Sequence, residues 1–433
     1  MKAGSFFPGT HYSSLYAMAG DDCSLHFDLE NLTEKQQVDH LSNVELTAML
    51  QVALAFIGNK QDHLALYDTY QTEEWQNYLS RYHNFFSRMV AETIPMNHFS
   101  YHPKFDFYRS VARMIDADNN LTDVANLYMS SGSNSVIHKN PELLTVNRNV
   151  NSKKHFAENA PAWGIPFPNT LVTTKGQLEQ PEIIDFFTRH DNEVMLKLLG
   201  LAGARNVAPV SSIEECQTIV AEYKNEMMVL LQQKLDPHFY TEMTVDLMVS
   251  ESDIRIANTR KILFAEGLWV GNLIGDSVQL TPAQESALIN VGEYAKHHGY
   301  SSDIGSNCGI DFFVGDDDSV IVTEINARWT GGLFPAEALK QLNNQNRDAV
   351  AFFDLVEKGQ RDAYLDFVDR HLVGEYSGEF AMVPLGIGCF ELPMEDGIFY
   401  YVWQIVIGDF ESFKEAKRIL GPGVMPTADL IQL

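Results

Sequence analysis

The residues whose types and spacing could do chemistry are concentrated in two short runs. These are Gly309-Ile310-Asp311-Phe312-Phe313-Val314 and Val322-Thr323-Glu324-Ile325-Asn326-Ala327-Arg328. Both runs are β-like, and an acidic turn at Gly315–Ser319 joins them, which predicts a hairpin with Asp311 beside Glu324. Side chains alternate along a strand, so Asn326 shares the face of Glu324 and Arg328 continues the series. Two carboxylates and an amide oxygen form a hard, all-oxygen donor set. Mg²⁺ takes such a set, using one or two carboxylates and completing its shell with water and nucleotide phosphates. Arg328 could hold a phosphoryl or carboxylate oxygen through a bidentate contact. A hairpin with a merely solvated polar face has the same spacing, so this pattern alone leaves both readings open.

Three weaker signals lie upstream. Met195-Leu196-Lys197-Leu198-Leu199-Gly200-Leu201-Ala202-Gly203 places a lysine at the end of a strand and a glycine loop after it. An ammonium and backbone amides could there surround phosphates. Neither a Walker loop nor G-x-G-x-x-G is present. Leu230-Leu231-Gln232-Gln233-Lys234-Leu235 is a β-run ending in polar residues, suited to offering backbone groups to an adenine edge while Leu235 packs on the ring. Lys153 opens a short helical pattern that stops at Gly164-Ile165-Pro166.

Other candidates are poor. Asp316-Asp317-Asp318 lacks the glycine and terminal glutamate of a calcium loop and reads as a solvated turn. Cys308 has no dyad partner in sequence. His98 and His102 have helical spacing, but Pro103 follows and no H-E-x-x-H forms. His297-His298 suits a helix C-terminus. G-x-S-x-G is absent, so a hydrolase elbow has no support.

The elements that must position these residues alternate in type. Helices are expected from Thr33–Glu34 to Gly58, around Trp75–Met89, from Ser152 towards Gly164, from a Ser212/Glu215 capping box to about Tyr223, and from Thr281-Pro282 to Gly299. Strands are expected at Val194–Leu199, Met227–Gln232, Thr241–Val249, Arg255–Phe264, Ile310–Val314 and Val320–Ile325. Two more are expected at Phe380–Val383 and Tyr400–Ile407, and Ser131–Ser135 reads as a turn. Long antiparallel-looking strands with interspersed helices predict an α+β fold. Residues 1–150, 151–360 and 361–433 read as three units, and the first offers no motif with a mechanism.

The 433 residues include 45% apolar and 21% charged side chains, the balance of a globular chain with a real core. Against 31 Lys+Arg stand 58 Asp+Glu, a net charge of −27, which repels phosphate backbones and anionic membranes. Nucleic acid and membrane are therefore poor partners. Cys23, Cys216, Cys308 and Cys389 form no C-x-x-C pair, so neither a zinc ribbon nor a disulfide framework is indicated. No signal-peptide pattern opens the sequence and no apolar run reaches the roughly 18 residues of a membrane span. A cytoplasmic location is the expectation.

Taken in order, these pieces resemble the ATP-grasp superfamily of ATP-dependent carboxylate ligases across roughly residues 151–340. The matching elements are Lys153 before Gly164-Ile165-Pro166-Phe167-Pro168, then Lys197 with the Gly200–Gly203 loop, then the hinge Gln232-Gln233-Lys234-Leu235. Asp311 and Glu324-Ile325-Asn326-Ala327-Arg328 close the series. The resemblance implies two α+β subdomains gripping ATP, an N-terminal α/β domain of pre-ATP-grasp type and a small C-terminal α/β domain. It implies that Lys153, Lys197, Gly200, Gly203, Gln232, Gln233, Leu235 and Glu242 bind ATP, with Glu242 at the ribose. Asp311, Glu324 and Asn326 would hold two Mg²⁺ ions, and Arg260, Arg328 and Lys197 would serve phosphoryl transfer or hold the substrate carboxylate. The family's hinge glutamate is Gln232 here, and its usual first metal-binding glutamate is Asp311. The implied activity is ADP-forming ligation of a carboxylate to an amine, on amino acids or short peptides. A small-molecule kinase and a non-catalytic nucleotide binder share the same residues, and the resemblance admits a homodimer.

Overall fold

The computed structural model describes residues 2–3, 14–19, 33–117, 123–126, 141–199, 207–265, 268–303, 305–344, 346–394, 397–423, 427–431 and 433. Gly200, Gly203 and the turn expected at 131–135 lie outside them. Among the described residues the strands form three sheets.

The first sheet is wholly parallel, in the order β1 (Lys2–Ala3), β5 (Asp123–Asn126), β2 (Ser14–Ala17), β3 (His63–Tyr67), β4 (Phe99–His102). Parallel neighbours need long crossovers, and the helices Glu34–Ile57 and Glu73–Met89 supply two of them. Thr72 caps the second by accepting from the Trp75 amide. This first unit is therefore α/β.

The second sheet is small and antiparallel: β6 (Thr170–Thr174), β9 (Met228–Gln233), β7 (Val194–Leu198), β8 (Val207–Val210). Its outer face covers a core of its own, built on Val194, Leu196 and Leu198 with Phe186 and Phe187 of the helix Pro181–Arg189. The helix after Ser212 ends at Ile219, earlier than expected. Only half its capping box forms, because Glu215 turns back to the Ser211 amide at 2.7 Å. The Thr281/Gln284 box is complete and opens the helix Pro282–His297.

The third sheet is antiparallel and large. Its order is β14 (Val320–Asn326), β13 (Ser306–Gly315), β10 (Tyr240–Val249), β11 (Ile254–Ala265), β12 (Leu268–Ile274), β15 (Ala349–Glu357), β18 (Gly397–Gly408), β16 (Phe380–Ile387), with β17 (Leu392–Met394) paired to β18. The pairing runs across residue 360, since β15 on one side of it bonds β18 on the other. The helix Glu34–Ile57 packs against both β3 and β16, so one core joins the parallel sheet to the far end of the large one. At Gly386 the helix backbone comes so near that any Cβ would strike the Met49 carbonyl oxygen. Tyr70 reinforces the junction, its single hydroxyl proton shared between the carbonyls of Ala48 at 2.9 Å and Ile387 at 2.6 Å.

Candidate active site

Asp311 and Glu324 are register partners in the β13–β14 hairpin, as the turn length and alternation predict. A bulge between Asp311 and Phe312 sets Thr323 aside, and its hydroxyl donates to the Asp311 carbonyl at 3.1 Å. The Asn326 amide donates to the Asp311 carboxylate at 2.9 Å. Lys153 bonds Glu324 from outside the sheet. It sits in the first turn of the helix Lys153–Asn159, whose Ser152 cap accepts from the His155 amide. The phrase that follows fastens this helix to the hairpin: Gly164 turns the chain at φ 64°, and the Pro166 carbonyl accepts from the Val322 amide at 2.8 Å. Asn151 ties the same corner by donating to the Ala327 carbonyl at 3.1 Å and accepting from Arg328 at 3.1 Å.

The large sheet presents one polar face. The rows across it read Glu324, Asp311, Thr244, Arg260 and then Phe313, Glu242, Ile262, Asn272. Opposite stands the small sheet, whose inner row is Thr170, Gln232, Met195 and Pro209, with Lys197 and Val207 beside it. Between the two lies a cavity of about 470 Å³ lined by these residues, Thr170 apart, and by Gln233, Lys234 and Leu235 at the end of β9. Lys197 is buried and reaches the field of Glu324, Glu242 and Asp311. The amide of Gln232 donates to the Thr170 hydroxyl at 2.9 Å, which leaves its carbonyl oxygen as the acceptor.

No protein-family model matches the sequence, and no curated protein does. Solved structures do match in fold over nearly the whole chain. One is carboxyaminoimidazole ribonucleotide synthase from Aspergillus clavatus complexed with ATP, at 11% identity and TM-score 0.56, covering 97% of this chain and 99% of that one. A second is N5-carboxyaminoimidazole synthetase from Staphylococcus aureus complexed with ADP, at 7% identity and TM-score 0.55, covering 96% and 98%. A third is phosphoribosylamine–glycine ligase from Thermotoga maritima, at 13% identity and TM-score 0.52, covering 95% and 96%. The chain has the ATP-grasp fold.

Electrostatics in the ATP-grasp cavity follow from crowding. Burial, followed by the Glu324 charge, pushes the Asp311 carboxyl up to about 6. Burial, Asp311 and Glu324 push Glu242 up to about 7 against the pull of Lys197. Burial acts on Glu324 in the same sense, but Lys153, Lys197 and Arg328 outweigh it and hold that carboxyl below the ordinary value. Burial also draws the Lys197 ammonium down. Among the described residues, no three His, Cys, Asp or Glu side chains gather as a metal cage. Mg²⁺ does not need one, since it keeps waters and phosphate oxygens. Two adjacent carboxylates, one of them raised by burial and by its neighbour's charge, fit such a cation, and so does the hard oxygen donor set.

Every other residue expected at the site lines this cavity: Lys153, Lys197, Gln232, Gln233, Leu235, Glu242, Arg260, Asp311, Glu324, Asn326 and Arg328. Arg260 does so differently from the expectation. Its guanidinium is fully buried, bonded to Asp246 and Asn258, and lies 3.3 Å from the Thr330 hydroxyl, so it backs the wall instead of projecting from it. Asp246 accepts in turn from Asn307 at 2.9 Å and Thr330 at 3.0 Å. Cys308 is buried and its thiol is pushed up by that burial, which leaves it inert as a nucleophile. Sequence reasoning missed Thr244 and Asp246. The alternation Glu242, Thr244, Asp246 in β10 was the signal that could have found them. Met195, Trp269 and Asn272 carried no such signal, since long-range pairing alone brings them in.

Proposed function

We propose that this chain is an ATP-dependent carboxylate–amine ligase that releases ADP and phosphate and joins amino acids or short peptides. The observation that carries this reading is the convergence of Lys153 and Lys197 on the register-paired carboxylates Glu324 and Asp311. Among the fold neighbours, phosphoribosylamine–glycine ligase is by its name a ligase of an amine and an amino acid.

A carboxylate is a poor electrophile because oxide would have to leave. In the proposed reaction a substrate carboxylate oxygen attacks the γ-phosphorus of ATP and the bond to the ADP oxygen breaks. Lys153, Lys197 and Arg328 spread the charge of the transferring phosphoryl group. The amine nitrogen then attacks the acyl carbon, the carbon–oxygen bond to phosphate breaks, and the amine loses a proton. Mg²⁺ held by Asp311, Glu324 and Asn326 would neutralise phosphate charge when bound. The small sheet grips the base: Met195, Val207 and Leu235 offer apolar surface, and the Gln232 carbonyl offers an acceptor for the adenine amino group. Positioning and electrostatics account for the catalysis, so no protein nucleophile is required.

The test is product analysis with Mg²⁺-ATP and pooled amino acids and dipeptides, with and without hydroxylamine. The expected result is ADP, phosphate and a hydroxamate whose mass identifies the activated acid. A stable phosphorylated product would mark a kinase, and AMP with pyrophosphate would overturn the mechanism.

A further inference from the structure

The two ends of the cavity differ in chemistry. The end at β13 and β14 holds the carboxylates and lysines. At the other end β11 turns Ile262 and Phe264 inward at alternate positions, beyond Arg260, whose buried guanidinium backs the wall. Across from it β12 sets Asn272 opposite Ile262 and Trp269 opposite Phe264. Asp246 matches the charge of Arg260. Trp269 and Ile262 are half-buried, and Phe264 is 37% exposed. Covering apolar surface is favourable, so three such side chains left partly open along one cavity wall form a surface suited to an apolar group.

The wall is also held in place. A Cβ on Gly331 would come within 2.6 Å of the Trp269 ring, so the indole lies directly against the main chain there. On another side it meets Phe353 edge to face, with centroids 4.9 Å apart. Neighbouring Gly332 presses on Arg260 and Asn272, where any Cβ would collide with the guanidinium. A side chain at either glycine would fill the space that the ring and the guanidinium bound. β11 and β12 stand two and three strands from β13 in the sheet, so across the strands the apolar wall lies roughly 10–14 Å from Asp311 at about 4.8 Å per strand. ATP phosphates at one end and an apolar side chain at the other can therefore occupy the cavity together.

We infer that the wall formed by Ile262, Phe264 and Trp269 binds the side chain of the acid that is activated, and that the enzyme selects amino acids with large apolar or aromatic side chains. This rests on the ligase reading. A phosphorylated sugar or an acid with a charged side chain would meet hydrocarbon there, and Arg260, which backs this wall, is already matched by Asp246.

Hydroxamate formation with Mg²⁺-ATP and hydroxylamine tests this on single acids: phenylalanine, leucine, alanine and aspartate. Phenylalanine or leucine should exceed alanine and aspartate in kcat/KM by at least about tenfold. Trp269→Ala should shrink that gap to about threefold or less, and the milder Phe264→Ala should shrink it in part. ADP-induced thermal stabilisation checks that each variant is folded. Alanine or aspartate equalling the apolar acids would overturn the inference, as would an unchanged gap in both folded variants. ADP stabilisation with no hydroxamate from any acid would also overturn it, whereas a wild-type protein that ADP does not stabilise would sink the ligase reading itself.

Discussion

The small sheet and the large sheet enclose one cavity but bring opposite imbalances to it. The large sheet contributes Glu242, Asp311 and Glu324, three carboxylates of which burial first, and then the neighbouring charges, raise the pKa of Glu242 and Asp311. The small sheet contributes Lys197, a buried ammonium whose pKa burial lowers. Neither wall is comfortable alone, because each carries like charge or an unpaired charge out of water. Set face to face, and with Lys153 arriving from a helix outside both, they neutralise one another around Glu324. The site is thus a property of the assembly of two sheets. In a chain with net charge −27, any site for an anion needs cations concentrated locally, and the seam between the sheets is where Lys153, Lys197 and Arg328 meet.

The sharpest way to break this picture is Glu324→Ala. The carboxylate pairs with Lys153, lies in the field of Lys197 and belongs to the oxygen set proposed to hold Mg²⁺, so its loss should lower kcat by about 10³-fold or more. A thermal melt should still show a cooperative transition. Near-normal ligation by the folded variant would refute the metal assignment. Lys197→Ala attacks the other wall. It should weaken ATP binding about 10- to 100-fold, the worth of a charge-assisted contact. An unchanged affinity in direct titration would remove Lys197 from the phosphate contacts.

The contrast between local and long-range pairing explains what the sequence could reveal. The β13–β14 hairpin was legible, because a short turn and strict alternation place Asp311 and Glu324 opposite one another whatever surrounds them. The Thr281/Gln284 cap was legible for the same local reason. The parallel N-terminal sheet was not, since its strands are short and each pairing spans a crossover helix. Nor was the Arg260–Asp246 pair, which depends on the registry of β10 with β11 and a bulge at Asp246. The apolar wall at Trp269 and the continuity of the large sheet past residue 360 likewise arise from strand order, which propensity does not encode.

The carboxylate crowding of the large wall has a pH signature. The Glu242 carboxyl rises from an ordinary glutamate value to about 7 on folding, so the folded chain binds its proton more tightly than the unfolded chain does. The resulting stability is fully present below about pH 4.5 and is lost as pH rises through about 7. At pH 8 the ionised group then costs the fold of order 3 kcal/mol, less where solvent in the cavity screens it. Glu242→Gln should accordingly raise the melting temperature at pH 8 by a few degrees and leave it nearly unchanged at pH 4.5. An equal shift at both pH values would show that packing, not charge, governs the position.

The smallest effect should come from the base end of the small wall. Gln232 donates its amide to Thr170 and keeps its carbonyl oxygen for an incoming donor. One neutral hydrogen bond is worth about 1 kcal/mol, so Gln232→Ala should raise the KM for ATP about fivefold. The preference for ATP over GTP should narrow by a similar factor, because only adenine offers an amino hydrogen at that edge. Thr170→Val is the companion variant: it removes the bond between β6 and β9 but leaves the carbonyl in place. It should lower the melting temperature slightly and keep the ATP preference. If both variants lose stability and neither alters nucleotide choice, Gln232 serves only to pin β9 to β6. Discrimination of the base would then fall to the backbone groups between Gln233 and Leu235.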